Sequence, residues 1–358
     1  MKNIKQLTED LANLTEKEPK LRARDRAQRL GISEAELLSL TLGEHIALLE
    51  GDWKNLLKEV KDMGYVMALT RNESCVHERK GVYDNIEFYK GPHNMGVAVN
   101  PDIDLRFFMN EWKYGFAVSM DRGKGKMLHG LQFFNVKGEA VHKIYTTPKS
   151  NVEAFKKLVA KYKAQSQSPL MDVDHSPYAE KQITSDSEID VNTFQQEWRD
   201  LKDTHHFFGM LKKHKLQRTQ SLRLAPKGYT QKVNTNTVID MLEKAVEDQV
   251  SIMCFVHSRG CIQIHTGEVK NLKEFGSWYN IMDPKFNLHL DMSKVAESWI
   301  VKKPTSDGMV HSLELFDENG DLIVYFFGAR KPGKPELESW KSIIELLEKS
   351  NALVKEGI

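Results

Sequence analysis

The chain has 358 residues, enough for two domains of ordinary size, and 40% of them are hydrophobic, which excludes wholesale disorder. Its 51 basic and 50 acidic residues leave a formal net charge of +1, so the overall basic excess usual in duplex-binding proteins is absent. Three cysteines, Cys75, Cys254 and Cys261, are too few and too scattered for a disulfide framework and form no C-x-x-C pair for zinc, and reduced thiols suit a cytoplasmic location.

The first 27 residues are charged throughout and lack the apolar core of a secretory signal. No later run approaches the roughly 20 apolar residues that span a bilayer, so no membrane insertion is expected. Helices come first in the chain, followed by several short strands and a closing helix over 150–164. Residues 165–190 are polar, lack periodicity and read as a connector. The plan then repeats: helices, strands such as SIMCFVHSRGCIQIHTG, an Asn319-Gly320 hairpin signal and a closing helix over 335–349.

The repetition extends to the residues themselves. MALTRNESCVHERKGVY (67–83) matches MCFVHSRGCIQIHTGEV (253–269), placing Cys75 opposite Cys261. VNPDIDLRFF (99–108) matches MDPKFNLHLD (282–291), HGLQFFNVKGEAV (129–141) matches HSLELFDENGDLI (311–323), and LGISEAELLSL (30–40) matches KLQRTQSLRL (215–224). Four matches in one order at nearly one offset indicate an internal duplication. The expected fold is α+β: two tandem, structurally similar repeats forming a pseudo-twofold pair, each a large antiparallel sheet with flanking helices. The expected divisions are 1–164, a linker at 165–190, and 191–358.

In TFQQEWRDLKDTHHFFGMLKKHKL (193–216), Phe194, Trp198, Leu201, Phe208 and Leu211 recur at helical spacing. His205 falls in register with that stripe, and His206 lies about 100° away from it. An imidazole among apolar side chains needs a partner. Three readings stay open. It is a core histidine bonded to a backbone carbonyl, a haem-iron ligand among the flat apolar walls of Phe207, Phe208 and Met210, or part of a non-haem metal site with Asp203, His206 and His214. Lys212, Lys213, Lys215, Arg218 and Arg223 are either a solvated face or partners for the two carboxylates of haem. Position 218 is Arg in the second repeat and Glu34 in the first, which suits a ligand site built mainly by the second copy. Arg106 lies in a strand-like segment beside Phe107 and Phe108, where it needs an acceptor such as Asp102 or Asp104.

Taken together, DTHHFFGMLKKHKLQRTQSLRLAP (203–226), TRNESCVHERKGVY (70–83), NPDIDLRFF (100–108), RGCIQIHTG (259–267) and KPTSDGMVHSLELFDENG (303–320) resemble the hemin-degrading or hemin-transport family of bacterial cytoplasmic haem-utilisation proteins. The resemblance covers nearly the whole chain. It implies haem b as ligand or substrate in a pocket of the second half, closed on one side by the first, with His205 as axial ligand and Arg106 on the distal side. It further implies carboxylate contacts from Arg218, Gln220 and Lys303, with Tyr325 and Arg330 as additional contacts and His206 as an alternative ligand during transfer. The implied partners are an inner-membrane haem importer and a haem oxygenase or electron donor. The implied function is carriage of imported haem for its iron together with its degradation, and the alternative is a dedicated haem oxygenase-like or reductive ring-opening enzyme. No G-x-G-x-x-G fingerprint supplies a reductant site. Nucleic-acid binding through KKHK (212–215) and RGKGK (122–126) is the remote alternative.

Overall fold

The computed structural model describes residues 3–91, 94–170, 172–331 and 333–356. Its chain divides into two compact units, which trade short segments. The first comprises residues up to Arg71, Glu78–Pro177 and His257–Gln263; the second comprises Asn72–His77, Tyr178–Val256 and Ile264 onward.

In the first unit, strands Ile46–Leu49, Tyr114–Asp121, Met127–Phe134, Ala140–Ser150 and Gly64–Arg71 pair antiparallel in that spatial order. A second antiparallel group joins Ile86–Phe88, Met95–Val99 and Asp104–Phe108. The second unit repeats this arrangement. Thr230–Val233, Glu297–Thr305, Gly308–Phe316, Leu322–Gly328 and Ile252–His257 follow the same order. Leu272–Phe275, Trp278–Met282 and Phe286–Asp291 form its second group. The duplication read from sequence is therefore a duplication of topology, and the α+β class of two large antiparallel sheets with helices holds.

Alternation along the strands sorts side chains between two faces. In Ile252–His257 the buried residues are Ile252, Cys254 and Val256. They join a core with Leu313, Leu315, Val324 and Phe326, sealed by helices Thr237–Glu247 and Glu338–Glu356. The opposite face of the sheet packs Trp299, Val301 and Phe316 against Phe194, Trp198, Phe207, Met210 and Leu211. At the Asn319-Gly320 hairpin only Gly320 has positive φ (70°), and the Asp317 carboxylate accepts the Asn319 and Asp321 amides at 2.9 and 2.8 Å.

Residues 165–190 carry little regular structure, yet they are fastened down. Val173 is in the core of the first unit. Further on, the Lys181 ammonium lies 2.7 Å from Asp321 and the Gln217 side chain donates to the Gln182 carbonyl at 3.0 Å.

Trp340 fixes the closing helix. It is fully buried, and its indole N–H donates to the His311 carbonyl at 3.1 Å. A Cβ on Gly328 would meet the Trp340 ring and Cβ at 2.5–2.6 Å. Gly328→Ala is expected to lower unfolding free energy by about 1–3 kcal/mol, as overpacking does; urea denaturation checks this.

Candidate functional site

The single helix expected over 193–216 is broken. Helices Val191–Arg199 and His206–Lys213 are separated by Asp200–His205. The apolar side of the second helix consists of Phe207, Met210 and Leu211, while Phe208 is 73% exposed. His205 thus does not lie on a buried helical stripe, and that reasoning for choosing it over His206 fails. The cause is local. Asp203 accepts the His205 backbone N–H on Oδ1 at 2.9 Å, an Asx turn that competes with continuation of the helix.

What the break creates is a different kind of histidine. The His205 side chain is 87% exposed. Its Nδ1 lies 2.7 Å from Asp203 Oδ1. A carboxylate only accepts, so Nδ1 carries the proton and the Nε2 lone pair is left facing outward. The bonds from His205, first the backbone one, hold the Asp203 carboxyl below its usual pKa despite some burial. A carboxylate on one ring nitrogen is the usual support for a metal-ligating imidazole, fixing its tautomer and raising its basicity. His206, next in the chain, is also exposed. His214 instead lies 2.8 Å from Glu197, and among the described residues no three His, Cys, Asp or Glu side chains gather as a metal cluster.

Behind Phe207 stands a charged cluster on an aromatic sheet face. Pairing register places Trp299, Glu314, Tyr325 and Phe255 in one row across four strands. Phe255 stacks on Tyr325 at 4.8 Å, and both touch Phe327 at 5.4 Å. All three rings are only partly buried. The Arg218 guanidinium grips fully buried Glu314 with two bonds of 2.9 Å and lies over the Phe207 and Tyr325 rings. Lys303, 3% exposed, donates to the same carboxylate at 2.7 Å and sits 4.6 Å above Phe207. Ser312 adds a fourth donor at 3.0 Å.

Burial alone would raise the Glu314 pKa, but the Arg218 and Lys303 charges outweigh it and bring the value to about 2. Lys303 moves the other way: desolvation, reinforced by Arg218, lowers it to about 8. Two cations and one anion leave the cluster with one net positive charge.

The remaining expected residues divide. Gln220 is buried and committed to the connector, its amide donating to the Thr184 carbonyl and Asp186 at 2.7 Å each. Arg330, just beyond the strand bearing Tyr325, has a buried Nη1 with no hydrogen-bond partner among the described residues. Arg106 belongs to the first unit, where it pairs with Asp104 and donates to the Leu105 carbonyl at 3.2 Å; Asp102 pairs with Arg79 instead. Glu314 and the Phe255–Phe327 face were missed from sequence. The signal was there: Glu314 lies between Leu313 and Leu315, and alternation turns it to the opposite face, toward Lys303.

The family model described as "Haemin-degrading HemS.ChuX domain" matches residues 31–162 and again 215–347. The chain belongs to that family. It is 36% identical over 328 residues to the hemin transport protein HmuS of Yersinia pestis, covering 91% of this chain and 92% of the relative. Holo-PhuS, a heme-binding protein from Pseudomonas aeruginosa, superposes with a TM-score of 0.93 at 42% identity, covering 97% of this chain and 99% of that one. ChuS, described as an E. coli heme oxygenase, gives 0.84 at 34% identity, with 95% and 99% covered. The family's twofold match falls on the two repeats.

The buried carboxylate makes a pH prediction. A carboxyl depressed from 4.5 to about 2 contributes stability that is complete above pH 4.5 and lost as pH falls through about 2, worth about 3 kcal/mol. Glu314→Gln lacks that term and strands buried Lys303 and partly buried Arg218, so it is expected to be less stable by about 3–5 kcal/mol at neutral pH. In urea titrations the gap to wild type should narrow steadily between pH 5 and pH 3.

Proposed function

We propose that this protein binds haem through His205 and carries it in the cytoplasm, where imported haem is used for its iron. The observation that bears the reading is an exposed imidazole whose Nδ1 is held by Asp203, leaving Nε2 free as a donor. The residues present fit the group. The exposed Phe208 ring adjoins His205 in the chain, and the second unit supplies further aromatic surface at Phe255, Tyr325 and Phe327. The charge matches as well. The net positive charge of the Arg218–Glu314–Lys303 cluster and the Arg330 Nη1, which has no hydrogen-bond partner among the described residues, answer the two carboxylates of haem.

In this proposal the second repeat, 191–358, holds the haem. Asp203 orients the ligating ring, Arg218 and Arg330 neutralise carboxylates, and Glu314 keeps Arg218 from wandering over the aromatic face. Gln220 serves indirectly by fastening residues 184–186. Tyr325 contributes ring surface. His206 is an alternative donor during transfer, and Arg106 is proposed as the distal group by its motif. Haem, when bound, would supply redox-active iron, and ring opening, the second reading below, would draw its electrons from an outside donor. An inner-membrane importer is the proposed source of haem and a separate acceptor its destination. No helix among the described residues is long and apolar enough to cross a membrane.

A second reading, in which the complex itself opens the porphyrin ring, is favoured by the likeness to ChuS, described as a heme oxygenase. Aerobic incubation of the haem complex with ascorbate and catalase separates the two. Carriage leaves the Soret band intact and permits rapid transfer to an apo-acceptor; ring opening bleaches the band and yields a linear tetrapyrrole.

The ligand assignment is tested by titration. His205→Ala is expected to weaken haem binding and alter its spectrum, His206→Ala to do less, and Arg106→Ala to change distal ligation with binding largely kept. Equal losses from both histidine variants would contradict the assignment.

A further inference from the structure

The first unit holds a buried polar chain that the haem reading leaves unused. The Tyr83 hydroxyl lies 2.6 Å from His142 Nε2, and His142 Nδ1 lies 2.8 Å from Thr70 Oγ1. Thr70 in turn donates to Cys261 Sγ at 3.6 Å. Tyr83, Thr70 and Cys261 are fully buried and His142 is 1% exposed.

The repeat shows that the fold does not require this chain. At the corresponding positions the second unit has Val269, Val324, Val256 and Cys75, all buried in its main hydrophobic core. The same scaffold closes with three valines, so the first unit carries the desolvation of a phenol, an imidazole and a hydroxyl without a folding need for it.

Hydrogen-bond directions follow from the donors available. With the Thr70 proton turned to sulfur, Thr70 Oγ1 accepts from Nδ1–H. Nε2 then has a lone pair for the phenol, and no phenolic proton is stranded. Burial lowers the His142 pKa to about 3, so the ring is neutral in the resting protein. Sulfur is a poor proton acceptor and ends the chain. It is therefore not a long-range relay; it fixes one imidazole tautomer against one phenol.

We propose that Tyr83 and His142 form a proton-coupled redox site, in which Tyr83 gives one electron to an outer-sphere one-electron oxidant while its proton crosses to His142 Nε2. The products are a neutral tyrosyl radical and an imidazolium whose Nδ1–H remains bonded to Thr70. A small-molecule reductant such as ascorbate returns the electron, and the proton moves back to the phenolate oxygen. A neutral base at hydrogen-bond distance takes the proton of the strongly acidic oxidised phenol, so the charge rests on the imidazole rather than on a protonated phenoxyl cation. Aromatic rings lead outward from His142 to Trp112 at 6.1 Å, on to Phe133 at 4.9 Å, and then to partly exposed Trp53 at 5.6 Å. The site would drain oxidising equivalents formed when bound haem meets peroxide, a role that rests on the haem reading although the redox chemistry does not.

The test uses haem-free full-length protein and photogenerated tris(bipyridine)ruthenium(III), followed by transient absorption and freeze-quench electron paramagnetic resonance. Wild type is expected to give a long-lived neutral tyrosyl radical that forms more slowly in heavy water. Tyr83→Phe, which keeps the ring, should lose that component and leave only short-lived signals from the other nine tyrosines and the six tryptophans. His142→Val, the residue found in the other repeat, should retain Tyr83 but form the radical about 100-fold more slowly. An unchanged radical in Tyr83→Phe, an unchanged rate in His142→Val, or no heavy-water effect in wild type would each overturn the proposal.

Discussion

The proposed ligand site depends on one hydrogen bond, from His205 Nδ1 to the Asp203 carboxylate. An exposed histidine on a free rotor exchanges tautomers and faces any direction. Held at Nδ1, the ring keeps its proton toward Asp203 and its lone pair on Nε2. The same Asp203 oxygen takes the His205 backbone N–H, so side chain and main chain are fixed by one acceptor. That acceptor also interrupts the helical sequence, and the interruption brings His205 to the surface.

A second constraint is electrostatic. Arg218 and Lys303 share Glu314 in a desolvated layer beneath Phe207, an arrangement that is costly unless every charge is paired. The first unit meets the same position with reversed polarity. Its row across four strands is Phe116, Gln132, Lys143 and Leu69, and Glu34, at the position of Arg218, pairs with Lys143. One scaffold thus carries two charge patterns, a bidentate arginine on Glu314 in the second unit and a lysine on Glu34 in the first. The Tyr83–His142 pair shows divergence in the opposite direction, with the first unit polar where the second is apolar.

The duplication was legible because four segments keep nearly one offset and the strands between them alternate cleanly. The closing helices expected over 150–164 and 335–349 run over Val152–Tyr162 and Glu338–Glu356, so Pro335 precedes the second rather than opening it. The break before His206 was not legible, because Leu201, His205 and Phe208 fall in perfect helical register. Periodicity cannot see an aspartate oxygen competing for a backbone amide. For the same reason Phe208 reads as core: an aromatic residue left on the surface has the same spacing as one that is buried. Arg218 stood out as a cation and Lys303 came from the family resemblance, but their common partner lay nearly a hundred residues from one and eleven from the other, and strand register brings Glu314 to both. Gln220 was expected at a ligand and is spent on the connector, a contact between segments of no sequence pattern.

The most direct test of the central claim is the iron–histidine stretching band in the resonance Raman spectrum of the ferrous haem complex. If the Asp203-held His205 is the ligand, the band is present in wild type, shifts to lower frequency in Asp203→Asn as the ring loses its anionic partner, and vanishes in His205→Ala. A band of unchanged frequency in both variants would place the iron on another residue and contradict the account.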